Sequence, residues 1–221
     1  MGATSMSFGS RLYSINRQFL LGIKIDEAVE ASLDALKSGR KPVIAVENTG
    51  ESLLRQVIAR RAGVEALSAE LELLEEQADT LDAADKARRE ELAAAIHSAM
   101  RDVTLNSPPQ FRELLDIMLD RIGQIKVQGR YGEVSWREPE SKEYGEAADT
   151  LREMIAEFPD LPLTPLDVVR KELAANGYRV AEVSGRTLSI SPDPADPTKW
   201  KVAFHPKADA VANVAGFQSG K

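Results

Sequence analysis

The sequence contains no cysteine and only two histidines, His97 and His205. The lack of cysteine excludes disulfide bonds and thiolate metal sites. The two histidines lie far apart with no ligand spacing around either, which argues against a zinc site. No apolar run approaches the roughly 20 residues that a membrane-spanning helix needs. Residues 1–21 include Arg11 and Arg17 and lack a continuous apolar run, so we expect no signal peptide, no membrane partner and a cytoplasmic location.

Net positive charge is also missing, since the formal net charge is −7. By itself this value argues against a nucleic-acid partner. The acidic excess is confined to residues 65–100, which hold ten acidic and three basic residues. This segment therefore accounts for the whole net charge, and the rest of the chain is neutral. The global charge consequently says little about what the remaining surface binds.

Two stretches have the pattern of a parallel α/β unit, in which helices alternate with buried strands that end in polar turns. In the first, the β-branched run Val43–Val46 leads through the turn Asn48-Thr49-Gly50 into a helix. In the second, a helix with Pro165 at its first position precedes a strand at Tyr178–Val183 and the turn Ser184-Gly185-Arg186. We expect the two strands to lie side by side and parallel in one sheet.

The residues between these units fit no parallel sheet and are interpreted as a mainly helical insertion. Leu67, Leu71 and Leu74 follow the spacing of a coiled-coil seam, which fails further along and then resumes. An acidic helical hairpin that turns near Asp79–Asp85 fits best, and one long helix is the alternative. The pattern then predicts a helix at Phe111–Ile122, a β-hairpin at Ile125–Trp136 and a helix at Glu146–Phe158.

Two stretches resemble motifs of strawberry-notch-type helicases of superfamily two. Lys41–Thr49 resembles the strand and turn that open the second RecA-like lobe of that family. Leu161–Asp167, followed by Gly177–Arg186, resembles the next strand and its turn. Phe217–Lys221 is a weaker match to the residues that lead into the strand of helicase motif five. The order and spacing of the three agree with the family, whose relatives occur in phage and mobile-element genomes as well as in eukaryotes.

The resemblance implies an α/β fold with a partial RecA-like parallel sheet, as in the second lobe of P-loop NTPase-like motors, a large helical insertion and one or two β-hairpins. Residues 1–54 are expected to begin the lobe, residues 55–160 to form the insertion, and residues 161–221 to continue the lobe. The last part should contain a β-hairpin of Thr187–Ile190 and Trp200–Phe204, and the lobe should be incomplete at its C-terminus.

The function implied by the resemblance is that of the second motor lobe of an ATP-dependent DNA helicase or translocase. In the complete helicase, ATP and Mg²⁺ lie between this lobe and a first RecA-like lobe, which is supplied in cis or in trans. An arginine of the second lobe stabilises charge on the transferring phosphoryl group. The sequence stops before motifs five and six, so we expect no catalytic residue, no metal and no ATP hydrolysis by this chain alone.

The same resemblance implies that the turns after the two strands contact the phosphodiester backbone of single-stranded DNA, weakly in this chain. Hydroxyl groups, glycines that allow close approach and an arginine suit phosphate contacts. The candidate residues are Asn48, Thr49, Gly50, Ser184, Gly185 and Arg186. The alternative is that these residues form helix caps and tight turns without a ligand.

Two other functions remain open at this point. One is a non-enzymatic interaction module whose helical insertion binds a protein partner. The other is a standalone nucleotide-binding enzyme, which tight ATP binding by the isolated chain would indicate.

Overall fold

The computed structural model describes residues 8–76, 79, 81–123, 125–128, 134–137, 139–205 and 210–219. The chain divides into two compact units. Unit 1 comprises Met1–Pro109 and Pro162–Lys221, and unit 2 comprises Gln110–Leu161. In chain order the elements are α1 (Phe8–Ile23), α2 (Ile25–Lys37), α3 (Glu51–Arg61), α4 (Glu65–Glu76), α5 (Ala83–Asp102), β1 (Thr104–Leu105), α6 (Phe111–Ile122), β2 (Ile125–Gln128), β3 (Val134–Arg137), α7 (Lys142–Ala156), α8 (Pro165–Ala175), β4 (Leu188–Pro192), β5 (Trp200–Phe204) and α9 (Ala210–Ser219).

The sheet of unit 1 is small and antiparallel, with strand order β1-β5-β4. Strands β4 and β5 form the predicted hairpin, in which Ile190 pairs with Val202. Its connection is closed by a hydrogen bond from the Asp193 amide to the Lys199 carbonyl at 2.8 Å. Strand β1 adds a short third strand, where Leu105 pairs with Trp200. The chain therefore combines helices with a sheet, as an α/β class requires, but this sheet is not parallel.

The predicted strands at Val43–Val46 and Tyr178–Val183 are wrong for this structure, because neither segment forms a strand. The Val43 side chain is 78% exposed and that of Val183 is 55% exposed, whereas the sequence indicated burial. The physical reason is that a strand needs a partner strand, and β5 is already paired with β4 on one side and β1 on the other. The sheet therefore forms from these three strands and not from the two predicted ones. We refer to residues 41–46 and 178–183 as the two apolar segments.

Helix α9 contacts both apolar segments. The Asn213 side chain donates a hydrogen bond to the Glu182 carbonyl at 2.7 Å. The Lys41 ammonium donates to the Phe217 carbonyl at 2.6 Å and lies 5.4 Å from the centre of the Phe217 ring. Asn213 and Phe217 are one helical turn apart, about 6 Å along the axis. Contacts to the two segments are therefore made at neighbouring positions of one helix.

The predicted helical hairpin is confirmed, since α4 and α5 are separate helices that pack together. Asp82 caps α5 by accepting a hydrogen bond from the Asp85 amide at 2.9 Å. The C-terminal half of α5 does not project from the sheet. Leu92 and Ile96 are buried there, and α5 packs against β5 and α3. The acidic N-terminal half of α5 is largely exposed.

Unit 2 contains the predicted helix α6, the hairpin β2–β3 and helix α7. The bounds of α6 match the prediction, and at the start of the helix the Glu113 carboxylate accepts a hydrogen bond from the Gln110 amide at 2.7 Å. The hairpin turn at Gly129–Gly132 lies outside the described residues. Helix α7 packs on α6, and the Phe111 and Phe158 rings stack with centroids 5.8 Å apart. Searched over the described residues, the chain has no helix that is both long and apolar enough to cross a bilayer.

Candidate nucleic-acid interface

The first predicted turn, Asn48-Thr49-Gly50, leads into α3. The Asn48 side-chain oxygen accepts a hydrogen bond from the Gly50 amide at 2.9 Å, a turn that asparagine favours. Gly50 has a φ of 70°, and a Cβ placed on it would lie 2.6 Å from Nε2 of Gln18. Gln18 is fully buried and donates to the Leu163 carbonyl at 2.6 Å. Glycine is therefore required at this turn both by backbone conformation and by space.

The second predicted turn, Ser184-Gly185-Arg186, leads towards β4. The Ser184 hydroxyl donates to Oε1 of Glu182 at 2.6 Å and accepts from the Arg186 amide at 3.2 Å. Gly185 is exposed, and a Cβ placed on it would meet no heavy atom within 4 Å. The backbone of this turn is therefore open to a ligand at Gly185, while the Ser184 hydroxyl already has partners within the chain.

The two turns are joined by one carboxylate, although they are far apart in the sequence. Glu51, the first residue of α3, accepts hydrogen bonds from the Thr187 amide at 2.9 Å and the Thr187 hydroxyl at 2.8 Å. Arg55, one turn along α3, donates to the same carboxylate at 2.9 Å. Glu51 follows Gly50 directly, and Thr187 follows Arg186 directly. The structure thus brings the two predicted turns together.

The charge of Glu51 is stabilised by these contacts. Partial burial works against ionisation, but the hydrogen bonds from Thr187 and Arg55 outweigh it and lower the pKa of Glu51 below its usual value. The carboxylate is therefore ionised at neutral pH and holds the second turn against the first turn of α3. Sequence reasoning missed both Glu51 and Thr187. The one local signal was an acidic residue at a helix N-terminus, which the helix dipole favours in any case.

Arg186 lies inside unit 1 and not on the turn surface. Its side chain is fully buried and donates to Oδ1 of Asp167 at 2.8 Å and to Glu182 at 2.8 and 3.0 Å. Arg170 also binds Glu182. The Arg186 guanidinium, which the sequence predicts to contact a phosphate, is paired with two carboxylates of the same chain in this structure. Through its hydrogen bond to Asp167, the Arg186 side chain joins the second turn to the helix α8.

The Arg186 network contains one strongly buried carboxyl. Burial raises the pKa of Asp167, and the neighbouring Arg186 offsets only part of this effect. Oδ2 of Asp167 accepts a hydrogen bond from the Ile190 amide of β4 at 3.2 Å. Nη1 of Arg186 is buried and has no hydrogen-bond partner in the described part of the chain. The network therefore links α8, the second turn and β4 through buried charges.

Searched over the described residues, the structure brings together no group of three histidine, cysteine, aspartate or glutamate side chains that could hold a metal ion. The predicted turns supply hydroxyl and amide groups, which suit a phosphate ligand better than a metal. No protein-family model, curated protein or solved structure matches the chain.

Proposed function

We propose that this chain is part of the second motor lobe of a strawberry-notch-type helicase or translocase of superfamily two, and that its two turns contact the backbone of one DNA strand. The observation that carries the proposal is the Glu51–Thr187 contact, with hydrogen bonds of 2.9 and 2.8 Å. In motor lobes of the family that the motifs resemble, the turns after successive strands face the same nucleic-acid strand. In this chain neither turn follows a strand, and the Glu51 carboxylate brings the two together instead. Two turns identified separately by sequence motifs and joined by one carboxylate are consistent with that arrangement.

The groups proposed to contact phosphates are the exposed backbone at Gly185 and the hydroxyl of Thr49. Backbone amides and hydroxyls are common phosphate donors and read no base sequence. Arg186 is not included, since its guanidinium is paired with Asp167 and Glu182. Asn48 and Ser184 are proposed to shape the turns through their own hydrogen bonds. Binding is therefore expected to be weak and indifferent to sequence.

The two apolar segments give secondary support to the proposal of a motor lobe. Val43 and Val183 are exposed although the composition of both segments is that of a buried strand. In the described part of the chain, no strand pairs with either segment. An exposed segment whose side chains are apolar and whose backbone has no neighbouring strand is a template for strand pairing. We propose that further strands of the lobe cover both segments in the complete motor, where ATP and Mg²⁺ would lie between this lobe and the first one.

A titration of labelled oligothymidylate at several salt concentrations tests the DNA contact. Gly185→Glu places a negative charge at the proposed contact where a Cβ meets no neighbour within 4 Å. Gly145→Glu is the matched control, because Gly145 in unit 2 has equal space for a Cβ. For the natural chain, we expect the logarithm of the binding constant to fall linearly with the logarithm of the salt concentration. Gly185→Glu should weaken binding about fivefold, and Gly145→Glu should not.

Two results of this titration would contradict the proposal. One is no salt-dependent binding by the natural chain at low ionic strength. The other is an equal loss in both variants, which would indicate a general effect of net charge.

The acidic surface of α4 and α5 favours a second candidate function, a module that binds a basic protein partner. Its residues are exposed along the N-terminal half of α5, where Arg88 bridges Glu70 and Glu91. A surface of one charge sign steers oppositely charged partners towards it. If the chain bound a lysine-rich peptide but no oligonucleotide, and Glu72→Lys with Glu75→Lys abolished that binding, this second function would be favoured.

A further inference from the structure

A shallow, largely open surface pocket of about 340 Å³ lies beside the joined turns in unit 1, with the His97 side chain exposed at its edge. Its lining residues come from four places in the fold: α3, the C-terminal half of α5, the turn before β4 and the end of β5. These residues are Arg55, His97, Thr187, Phe204 and His205. Both histidines of the sequence are therefore at one site, although 107 positions separate them in a chain that has no third histidine.

The walls of the pocket are held by contacts between these elements. The His205 amide donates to the Thr187 carbonyl at 3.0 Å, which fixes the end of β5 beside the second turn. The His97 ring packs against the Phe204 ring with centroids 4.0 Å apart. Arg55 and Thr187 both bind the Glu51 carboxylate. The pocket is thus built by side chains whose backbones are anchored independently of any ligand.

Several hydrogen-bond donors of the pocket remain available to a ligand. Among the described residues, no hydrogen bond is made by the imidazole nitrogens of His97 or His205. Arg55 engages Glu51 through Nη2, which leaves Nε and Nη1 of a planar guanidinium that suits oxyanions. The carboxylate next to the pocket belongs to Glu51, and its charge is offset by Arg55 and by two donors of Thr187. What remains for a ligand is a set of hydrogen-bond donors, namely the two imidazoles and Nε and Nη1 of Arg55, which suits the acceptor oxygens of an oxyanion.

We infer that this pocket binds a phosphate group through Arg55, His97 and His205. A tetrahedral oxyanion accepts hydrogen bonds from several directions, and the guanidinium and the two imidazoles approach the pocket from three different elements. The inference goes beyond the proposed function, because a free phosphate or a phosphomonoester would bind in the same way as a DNA phosphodiester. Where the phosphate belongs to DNA, the pocket lies beside the turns proposed to follow the strand.

The two histidines provide a direct readout by NMR. A chain labelled with ¹³C at histidine should give one Hε1 resonance for each ring, and inorganic phosphate is the first probe. We expect both resonances to shift together and to saturate. Arg55→Gln should weaken phosphate binding about tenfold, the effect of losing one hydrogen bond to a charged group. Lys86→Gln is the matched control, since it removes a positive charge from the exposed part of α5, about 16 Å along the helix from His97.

Arg55 also binds Glu51, so a second variant separates binding from folding. His205→Gln keeps the backbone contact to Thr187 and removes one imidazole. It should weaken phosphate binding while the His97 resonance keeps its position in the ligand-free protein. Linear shifts without saturation, or equal affinities in Arg55→Gln, Lys86→Gln and the natural chain, would overturn the inference.

A competition arm identifies the source of the phosphate and keeps this inference distinct from the proposed function. If oligothymidylate displaces inorganic phosphate, the pocket takes phosphodiesters and both proposals are supported. If inorganic phosphate saturates the pocket and oligothymidylate neither binds nor competes, the pocket stands and the proposed DNA contact is refuted.

Discussion

Replacing Arg186 with methionine should strongly destabilise unit 1. The substitution removes a fully buried cation and leaves Asp167, whose side chain is 1% exposed, without its charged partner. Breaking a buried ion pair from one side typically costs about 3 to 5 kcal/mol. In a chain of this size that corresponds to a fall in Tm of about 10 °C. The loss of Arg186 affects Glu182 less than Asp167, because Arg170 still forms an ion pair with Glu182.

The destabilisation should depend on pH in a direction that follows from the structure. Burial raises the pKa of Asp167, and without Arg186 nothing comparable opposes that rise. When the pKa of a carboxyl is raised in the folded protein, the protonated group favours the folded state at low pH. That stabilisation is lost as the pH rises through the raised pKa. The difference in Tm between Arg186→Met and the natural chain should therefore be smaller at pH 5 than at pH 8. Adding Asp167→Asn, which retains an acceptor for the Ile190 amide, should recover part of the loss.

Thermal unfolding monitored by circular dichroism at both pH values measures this effect. Arg88→Met is the matched control, because Arg88 also bridges two carboxylates but its side chain is 44% exposed. Exposed ion pairs contribute little, so this control should leave Tm nearly unchanged. The buried network would not stabilise unit 1 in this way if Arg186→Met lowered Tm no more than Arg88→Met does. The same holds if Arg186→Met lowered Tm equally at both pH values.

Three further predictions concern other parts of the chain. The pKa of Glu51 is lowered in the folded protein, so its ionised carboxylate stabilises the fold at pH values above the usual glutamate pKa near 4.5. This stabilisation is lost as the pH falls through the lowered pKa. Glu51→Gln should therefore reduce the fall of Tm below about pH 4.5. Gly123→Ala places a Cβ 1.7 Å from the Tyr144 hydroxyl and should destabilise unit 2 by about 1 to 3 kcal/mol, whereas Gly145→Ala should not; equal Tm values would refute the close packing. The isolated chain should show no ATPase above background in a coupled assay, and turnover that persists through repeated purification would contradict its assignment to a second lobe.

Elements determined by neighbouring residues could be predicted from the sequence. Helix α6 begins after Pro108-Pro109 and follows its apolar spacing to Ile122. Helix α8 has Pro165 in its first turn, where the missing amide hydrogen costs nothing. The β4–β5 hairpin connects two alternating strands through a proline-rich loop. In each case the signal lies within the element and does not depend on distant partners.

The two predicted parallel strands failed because strand formation depends on partners that the segment itself does not specify. Val43–Val46 has the composition of a buried strand, but the described structure provides no strand beside it. The contacts of the candidate site are equally non-local. Nothing near Arg186 in the sequence indicates that Asp167 will bury it, and arginine is usually exposed. His97 and His205 line the same pocket because α5 packs against β5.

The sequence did identify where the two turns lie, and the structure determines what joins them. The motif resemblance indicates Asn48-Thr49-Gly50 and Ser184-Gly185-Arg186, and their hydroxyls and glycines agree with it. Thr187 and Glu51 are outside both motifs, yet they make the hydrogen bonds between the turns. The two turns could therefore be located from local residues, while the residues that join them are visible only in three dimensions.

Hydrogen–deuterium exchange with and without oligothymidylate reports on both turns in one measurement. We predict slower exchange at residues 48–51 and 184–187 when the oligonucleotide is bound, and no change along the exposed half of α5. Slower exchange along α4 and α5 with unchanged exchange at both turns would contradict this prediction.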